Sequence, residues 1–361
     1  MASVVQFDRL KAFVCKLLSA AGCSEFTGTA VATGLCEASL RGTDTHGIKL
    51  LNHYLRNIAA GGLNPTPRFT VASPFPAVAV LDADNGPGLA AGCRAVDVGI
   101  NIASSMGAAV VLVTNTTHPG ALSTFAMRAA RRGYVCMFAS NTGPKMVSHG
   151  GRRAFFGTNP WAFGAPVAGG EPMVVDMATT AIPWNKVQQG RATGITLPSG
   201  VVVDDAGLPT TDPHAADALT PPGPAGAHKG YALAAMVETL SCILTDMAWG
   251  HHTIEMYRNE SSLKLKRGLG HWCFIMRPDA KFLGTNTFAT KLRSMRDELR
   301  AEPALPGHSV MLPGDPEEKC AARRRVDGIP VDYVTVADLS AWAKRFNIEA
   351  PFETVAPTSK L

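Results

Sequence analysis

Five short stretches of this sequence combine residue types that move protons or hold anions. The first is Arg41-Gly-Thr-Asp-Thr-His-Gly47, a histidine set between glycines beside hydroxyl and carboxylate groups. Imidazole titrates near neutral pH, so an exposed, oriented His46 is a candidate general acid and base. The Thr45 hydroxyl and the Asp44 carboxylate are placed to fix its tautomer. The second stretch, Thr116-Thr-His-Pro-Gly120, directly follows the apolar run ending at Val113. A strand-end loop whose amides are freed by glycine suits a phosphate or carboxylate. Phe156-Gly-Thr-Asn-Pro160 and Val175-Asp-Met-Ala-Thr-Thr180 each join an apolar flank to small hydroxyl or amide residues. Gly226-Ala-His-Lys-Gly-Tyr231 opens a helix, where backbone amides and the Lys229 charge attract anions. Taken singly, each also reads as an ordinary turn, and His46 as a surface or capping histidine.

The elements that must position these residues are legible from apolar spacing. Phe7, Leu10, Val14, Leu17, Leu18 and Ala21 recur at helical intervals over residues 6–22. A second helix is predicted over 25–40, stopping at Arg41-Gly42, and a third from near His46 to Gly61-Gly62. Ala77–Leu81 reads as a strand, residues 89–106 as a helix, and Ala108–Val113 as a buried strand. A helix over 123–132 and a strand over 134–139 follow. Residues 140–225, rich in Gly, Pro and Thr, predict a sheet with long loops. Helices are expected at 230–245 and 334–346. None of these strands is followed by Gly-x-Gly-x-x-Gly, so any dinucleotide must bind through an architecture other than the Rossmann one.

Bulk properties narrow the function class. The 361 residues are 46% hydrophobic and 17% charged, enough to bury a large core. The net charge is +5, and the two basic runs, Lys264-Leu-Lys-Arg267 and Arg323-Arg-Arg325, carry no interleaved aromatics. They read as solvated faces, and no nucleic-acid partner is expected. The eight cysteines show no Cys-x-x-Cys or zinc spacing, so neither disulfides nor a metal site is expected. No apolar run suits a membrane span, and the N-terminus lacks a secretory pattern. The terminal Ser359-Lys360-Leu361 matches a peroxisomal (or glycosomal) import address, which implies an import receptor as partner.

The order and spacing of these stretches resemble the type-2 malate/L-lactate dehydrogenase family, which also holds ureidoglycolate and sulfolactate dehydrogenases and piperideine-carboxylate reductase. The resemblance runs through Thr45-His46-Gly47, Leu81-Asp-Ala-Asp-Asn-Gly86, His118-Pro-Gly-Ala121, Gly150-Gly151 and Gly157-Thr-Asn-Pro160. It continues through Asp176-Met-Ala-Thr179, Pro209-Thr-Thr-Asp-Pro213, His228-Lys-Gly-Tyr231, Leu312-Pro-Gly314 and Gly328-Ile329. It implies a non-Rossmann α/β (α+β) fold with a mixed, largely antiparallel sheet in the cofactor domain. It also implies a homodimer. Residues 1–115 and 305–361 would then form a helical substrate and dimerisation region, and 116–304 the NAD(P)-binding domain.

The same resemblance implies a reaction between a small 2-hydroxy acid and its 2-oxo acid, with NAD, or alternatively NADP, as cofactor. It assigns catalysis to His46 with Thr45, Lys186 and His118. It assigns cofactor contacts to His118, Pro119, Gly120, Ala121, Leu122, Thr142, Asp176, Met177, Ala178, Thr179 and Lys229. It assigns substrate contacts to Tyr54, with Lys49, Thr158 and Asn159 as further candidates. Three departures stand out: Leu50 where relatives often carry Arg, Asn185 where Gly is common, and residues 251–270. Two other readings are a cyclic imine reductase, in which position 186 would tend to be Asp, and an inactive dinucleotide-binding homologue.

Overall fold

The computed structural model describes residues 3–223, 225–255, 260–278 and 287–352. Ser359-Lys360-Leu361 lies outside the described residues. The apolar stripe near the N-terminus becomes the helix Phe7–Ala20, which buries Leu10, Phe13, Val14, Leu17 and Leu18. Ser24 starts the next helix, Glu25–Leu40, its hydroxyl accepting from the Thr27 amide. That helix is buried on most sides, so it is a core element. The segment expected to begin a third helix at His46 instead makes two 3₁₀ turns, Asp44–His46 and Ile48–Leu50, before the helix Leu51–Ala60. The interruption lets successive side chains turn different ways, which matters below.

A seven-stranded sheet forms the centre. Its spatial order is Thr70–Phe75, Val78–Asp82, Ala108–Thr116, Leu269–Met276, Val135–Ser140, Trp161–Ala165 and Met173–Met177. Every neighbouring pair is antiparallel except Val78–Asp82 with Ala108–Thr116. This is the mixed, largely antiparallel sheet implied by the motifs. The helices Gly88–Met106 and Ser123–Ala130 pack against it. The central strand Leu269–Met276 begins in the last two residues of the 251–270 segment that departs from the family pattern. A smaller sheet of five short strands and the helix Trp184–Thr193 occupy the region between residues 146 and 219.

The first strand meets a late one. Ser3–Val5 pairs antiparallel with Ile329–Val331, and the helices Asp315–Asp327 and Tyr333–Arg345 pack beside the first sixty residues. Trp342 donates to the Asn52 side chain at 2.9 Å, and Asn52 donates to Asp338 at 2.7 Å. The expected division at residues 115/116 does not follow a seam. The strand Ala108–Thr116 ends there while hydrogen-bonded along its length to Leu269–Met276, so one sheet continues across both parts.

Candidate active site

Most of the named stretches converge on one cavity of about 900 Å³. Its walls come from the 41–50 turns, the 118–123 loop, the strand end at 174–178, the start of the 184–193 helix and the turn at 311–317. The cavity is in the size range of small-molecule and cofactor sites.

At one end lie His46 and His118, with rings nearly parallel (19°) and centroids 5.6 Å apart. Close packing around Gly47 fixes the first. A Cβ at residue 47 would run into the Ser39 hydroxyl, which accepts from the Ile48 amide at 2.9 Å. The Thr45 hydroxyl sits 3.0 Å from His46 Nδ1. A hydroxyl both donates and accepts, so it can serve either tautomer. His118 is held differently. The Gly120 amide donates to its Nδ1 at 3.2 Å, and Tyr54 Oη donates to its carbonyl at 3.1 Å. With Nδ1 accepting, neutral His118 carries its proton on Nε2.

Burial pushes the His46 imidazole below its usual range, with the Asp176 carboxylate pulling the other way. Burial also drives His118 well below that range, and the charges of His46 and Arg267 push it further. Asp176 is raised by burial, against hydrogen bonding from Ser123, whose amide donates to it at 2.7 Å. Its carboxylate opens onto the cavity while protein encloses the space around it. Two stacked imidazoles are not both positively charged. Asp176 makes His46 the one that takes the charge, while charging His118 would cost the Gly120 hydrogen bond.

The remaining expected residues divide. Thr45, Gly120, Ala121, Thr142, Thr158, Met177 and Ala178 line the cavity beside the two histidines and Asp176. Pro119 and Leu122 are buried behind that wall. Tyr54 is also behind it, supporting His118. Asn159 and Thr179 are structural: the Asn159 amide donates to Glu238 at 2.7 Å, and the Thr179 hydroxyl donates to the Thr158 carbonyl at 3.1 Å. Gly157 is required there, because a Cβ would strike the Thr142 hydroxyl.

Four expected residues stand outside the cavity wall or take other partners. Lys49 is exposed and acts on Asp332 outside the cavity, because the next residue, Leu50, takes the inward position. Lys186 is exposed on its helix, whereas Asn185 faces the cavity and donates to the Thr45 carbonyl at 3.4 Å. Lys229 is exposed and outside the walls. Asp44 does not hold His46: it pairs with Arg324 through both oxygens, at 2.6 and 2.9 Å. Arg324 also donates to the Ser39 carbonyl, so the 323–325 run is not merely a solvated face.

The sequence reading gave no role to several residues that line the cavity. Arg267, buried in its wall, belongs to a basic run taken for a solvated face. Arg41 sits in the His46 motif itself, and Leu312, Pro313 and Gly314 form a quoted motif. Trp184 carries Lys145 at 4.9 Å and Arg191 at 5.3 Å from its ring. Among the described residues, no group of three or more His, Cys, Asp or Glu side chains is placed to hold a metal.

The model of the malate/L-lactate dehydrogenase family matches residues 5–340. The chain belongs to that family. It is 34% identical over 315 residues to the ureidoglycolate dehydrogenase (NAD(+)) of Escherichia coli (strain K12), covering 87% of this chain and 88% of that protein. It is 35% identical over 257 residues to a Delta(1)-pyrroline-2-carboxylate/Delta(1)-piperideine-2-carboxylate reductase of Pseudomonas syringae pv. tomato, covering 69% and 74%. The crystal structure of malate dehydrogenase from Entamoeba histolytica superposes with a TM-score of 0.90 at 28% identity, covering 98% of this chain and all of that one. Membership makes the chain an oxidoreductase of the 2-hydroxy-acid dehydrogenase type, a group dependent on a nicotinamide dinucleotide.

Whether the cavity suits such a cofactor can be tested on its own residues. Its volume admits a dinucleotide, and its wall contains a buried guanidinium, Arg41, turned to an open space. The loop Gly120–Ser123, Thr142, Asp176–Ala178 and Leu312–Gly314 supply hydroxyl and backbone groups around that space. These residues fit the group.

Proposed function

We propose that the protein is an NAD-dependent dehydrogenase that interconverts a small 2-hydroxy acid and its 2-oxo acid, with His46 transferring the proton. The observation that carries this reading is the stacked His46–His118 pair beside Asp176 in a cavity large enough for two ligands. When bound, the dinucleotide supplies or accepts the hydride. In oxidation, neutral His46, its Nδ1–H donating to the Thr45 hydroxyl, takes the substrate hydroxyl proton on Nε2. In reduction, His46 returns the proton to the same oxygen. His118 donates Nε2–H to that oxygen and stays neutral throughout. Arg267, near enough to press on His118, holds the substrate carboxylate at the end where Leu50 offers no charge.

A cyclic imine reductase is the second reading, favoured by the Pseudomonas relative. The same cation would hold the carboxylate, and His46 would protonate a ring nitrogen. Lys186 no longer separates the two readings, since it lies outside the cavity. The test is NADH consumption with a panel of 2-oxo acids, including 2-oxosuccinate and pyruvate, and with Δ1-pyrroline-2-carboxylate. Turnover of an oxo acid supports the first reading, and turnover of the imine alone supports the second. Turnover of neither, with NADH bound, overturns both and leaves a binding protein.

A further inference from the structure

The cavity wall also holds Arg41, a cation that the reaction described above does not use. Arg41 is only 8% exposed and stands in the cavity wall. Among the described residues its guanidinium makes no hydrogen bond and no ion pair within 4.0 Å. By contrast, Arg128, Arg131, Arg300 and Arg324 each close on a carboxylate. The other charges acting on Arg41 are Glu317, Arg131, Glu171 and Glu37, of which Glu317 acts most strongly. Burial nevertheless holds the Arg41 guanidinium below its usual range, so these acidic groups do not offset its desolvation.

A buried cation without partners costs free energy. This one persists because the fold requires its backbone: Arg41 ends the Glu25–Leu40 helix, its amide bonded to the Glu37 carbonyl at 2.9 Å, and Gly42 follows at φ +85°. The side chain is thereby carried to where the 41–43 turn meets the 311–317 turn. Thr43, Leu312 and Gly314 line the same end.

From these observations we infer that Arg41 is a phosphate anchor: its planar fork binds a phosphodiester group of the dinucleotide, the pyrophosphate. This rests on the dehydrogenase reading for the identity of the ligand. Two features choose among phosphates. A guanidinium matches two phosphate oxygens at once. Glu317, a carboxylate on the same wall, repels a dianionic phosphomonoester more than a singly charged diester. Both NADH and NADPH carry that linkage, so Arg41 serves either one.

The experiment is equilibrium binding, followed by the fluorescence of NADH and NADPH and by calorimetry with ADP-ribose, on the wild type, Arg41→Gln and Arg41→Lys. Thermal unfolding of each apoprotein is recorded alongside. Loss of a hydrogen-bonded charge predicts ~10–100-fold weaker binding of both NADH and ADP-ribose to Arg41→Gln. Arg41→Lys recovers part of the loss, keeping the charge without the fork. A change confined to NADPH would overturn the assignment to the pyrophosphate. Unchanged affinity for all three ligands in a folded Arg41→Gln would overturn the anchor altogether. If Arg41→Gln does not fold, Arg41→Lys decides, since full wild-type affinity there rejects a bidentate contact. Failure of the wild type to bind any of the three would instead refute the dehydrogenase reading.

Discussion

Two parts of the cavity wall use burial in opposite ways. At His46, desolvation removes charge: both imidazoles are driven toward neutrality, and Asp176 is raised toward its protonated form. At Arg41, desolvation acts on a group that stays charged across the physiological range, so the charge remains and awaits a counter-ion. Burying a group that titrates near neutral pH makes a switch. Burying a guanidinium makes an anchor.

The sharpest way to break this contrast is at the switch. His46→Ala removes the proton-transfer group, and the single-turnover rate of hydride transfer is expected to fall ~10²–10⁴-fold with NADH affinity unchanged. Near-normal turnover there, with loss in His118→Ala, would move the proton to the other ring. Next in size is Arg267→Gln, which removes the carboxylate partner. The KM for the 2-oxo acid should rise ~10–100-fold, and the NADH dissociation constant should hold. A larger effect on NADH than on the acid would place Arg267 on the cofactor side.

The pH dependence sharpens the contrast further. Burial holds the His46 imidazole below its ordinary range, so the neutral form prevails at neutral pH and above. The kcat/KM for oxidation should be level from neutral pH upward and fall on acidification. The kcat/KM for reduction should rise toward low pH, where the acid form of His46 gains population. An oxidation profile still climbing between pH 7.5 and 9 would contradict a depressed His46. Smallest of all is Lys186→Ala. With its side chain outside the walls, both kcat and KM should stay within about twofold, since surface substitutions of this kind shift free energies by less than ~0.5 kcal/mol. A drop of tenfold or more would return Lys186 to the site.

What could be read from the chain alone follows the range of the forces involved. The helix over 25–40 was legible to its ends because its apolar content and Arg41-Gly42 are local signals. The strand Leu269–Met276 was not, because Gly270 and His271 break its pattern, and it is a strand by virtue of partners more than a hundred residues away. The same division holds in the site. His46, His118 and Asp176 were visible as motif residues, and the cavity gathers all three. Lys49 and Lys186 failed for a geometric reason: a neighbour one position away, Leu50 or Asn185, faces inward instead. Arg267 was hidden because a basic run looks the same whether its last member points to water or to a cavity.

The pairing of Ser3–Val5 with Ile329–Val331, and of Asp44 with Arg324, has a consequence for how the molecule comes into being. The segment bearing His46 leaves the ribosome well before Arg324, which pairs with Asp44 from 280 positions further on. The growing chain therefore carries His46 without that brace until Arg324 has been made. A chain halted before residue 324 would contain His46, His118, Arg267 and Asp176 but not the clasp that holds the His46 turn in place.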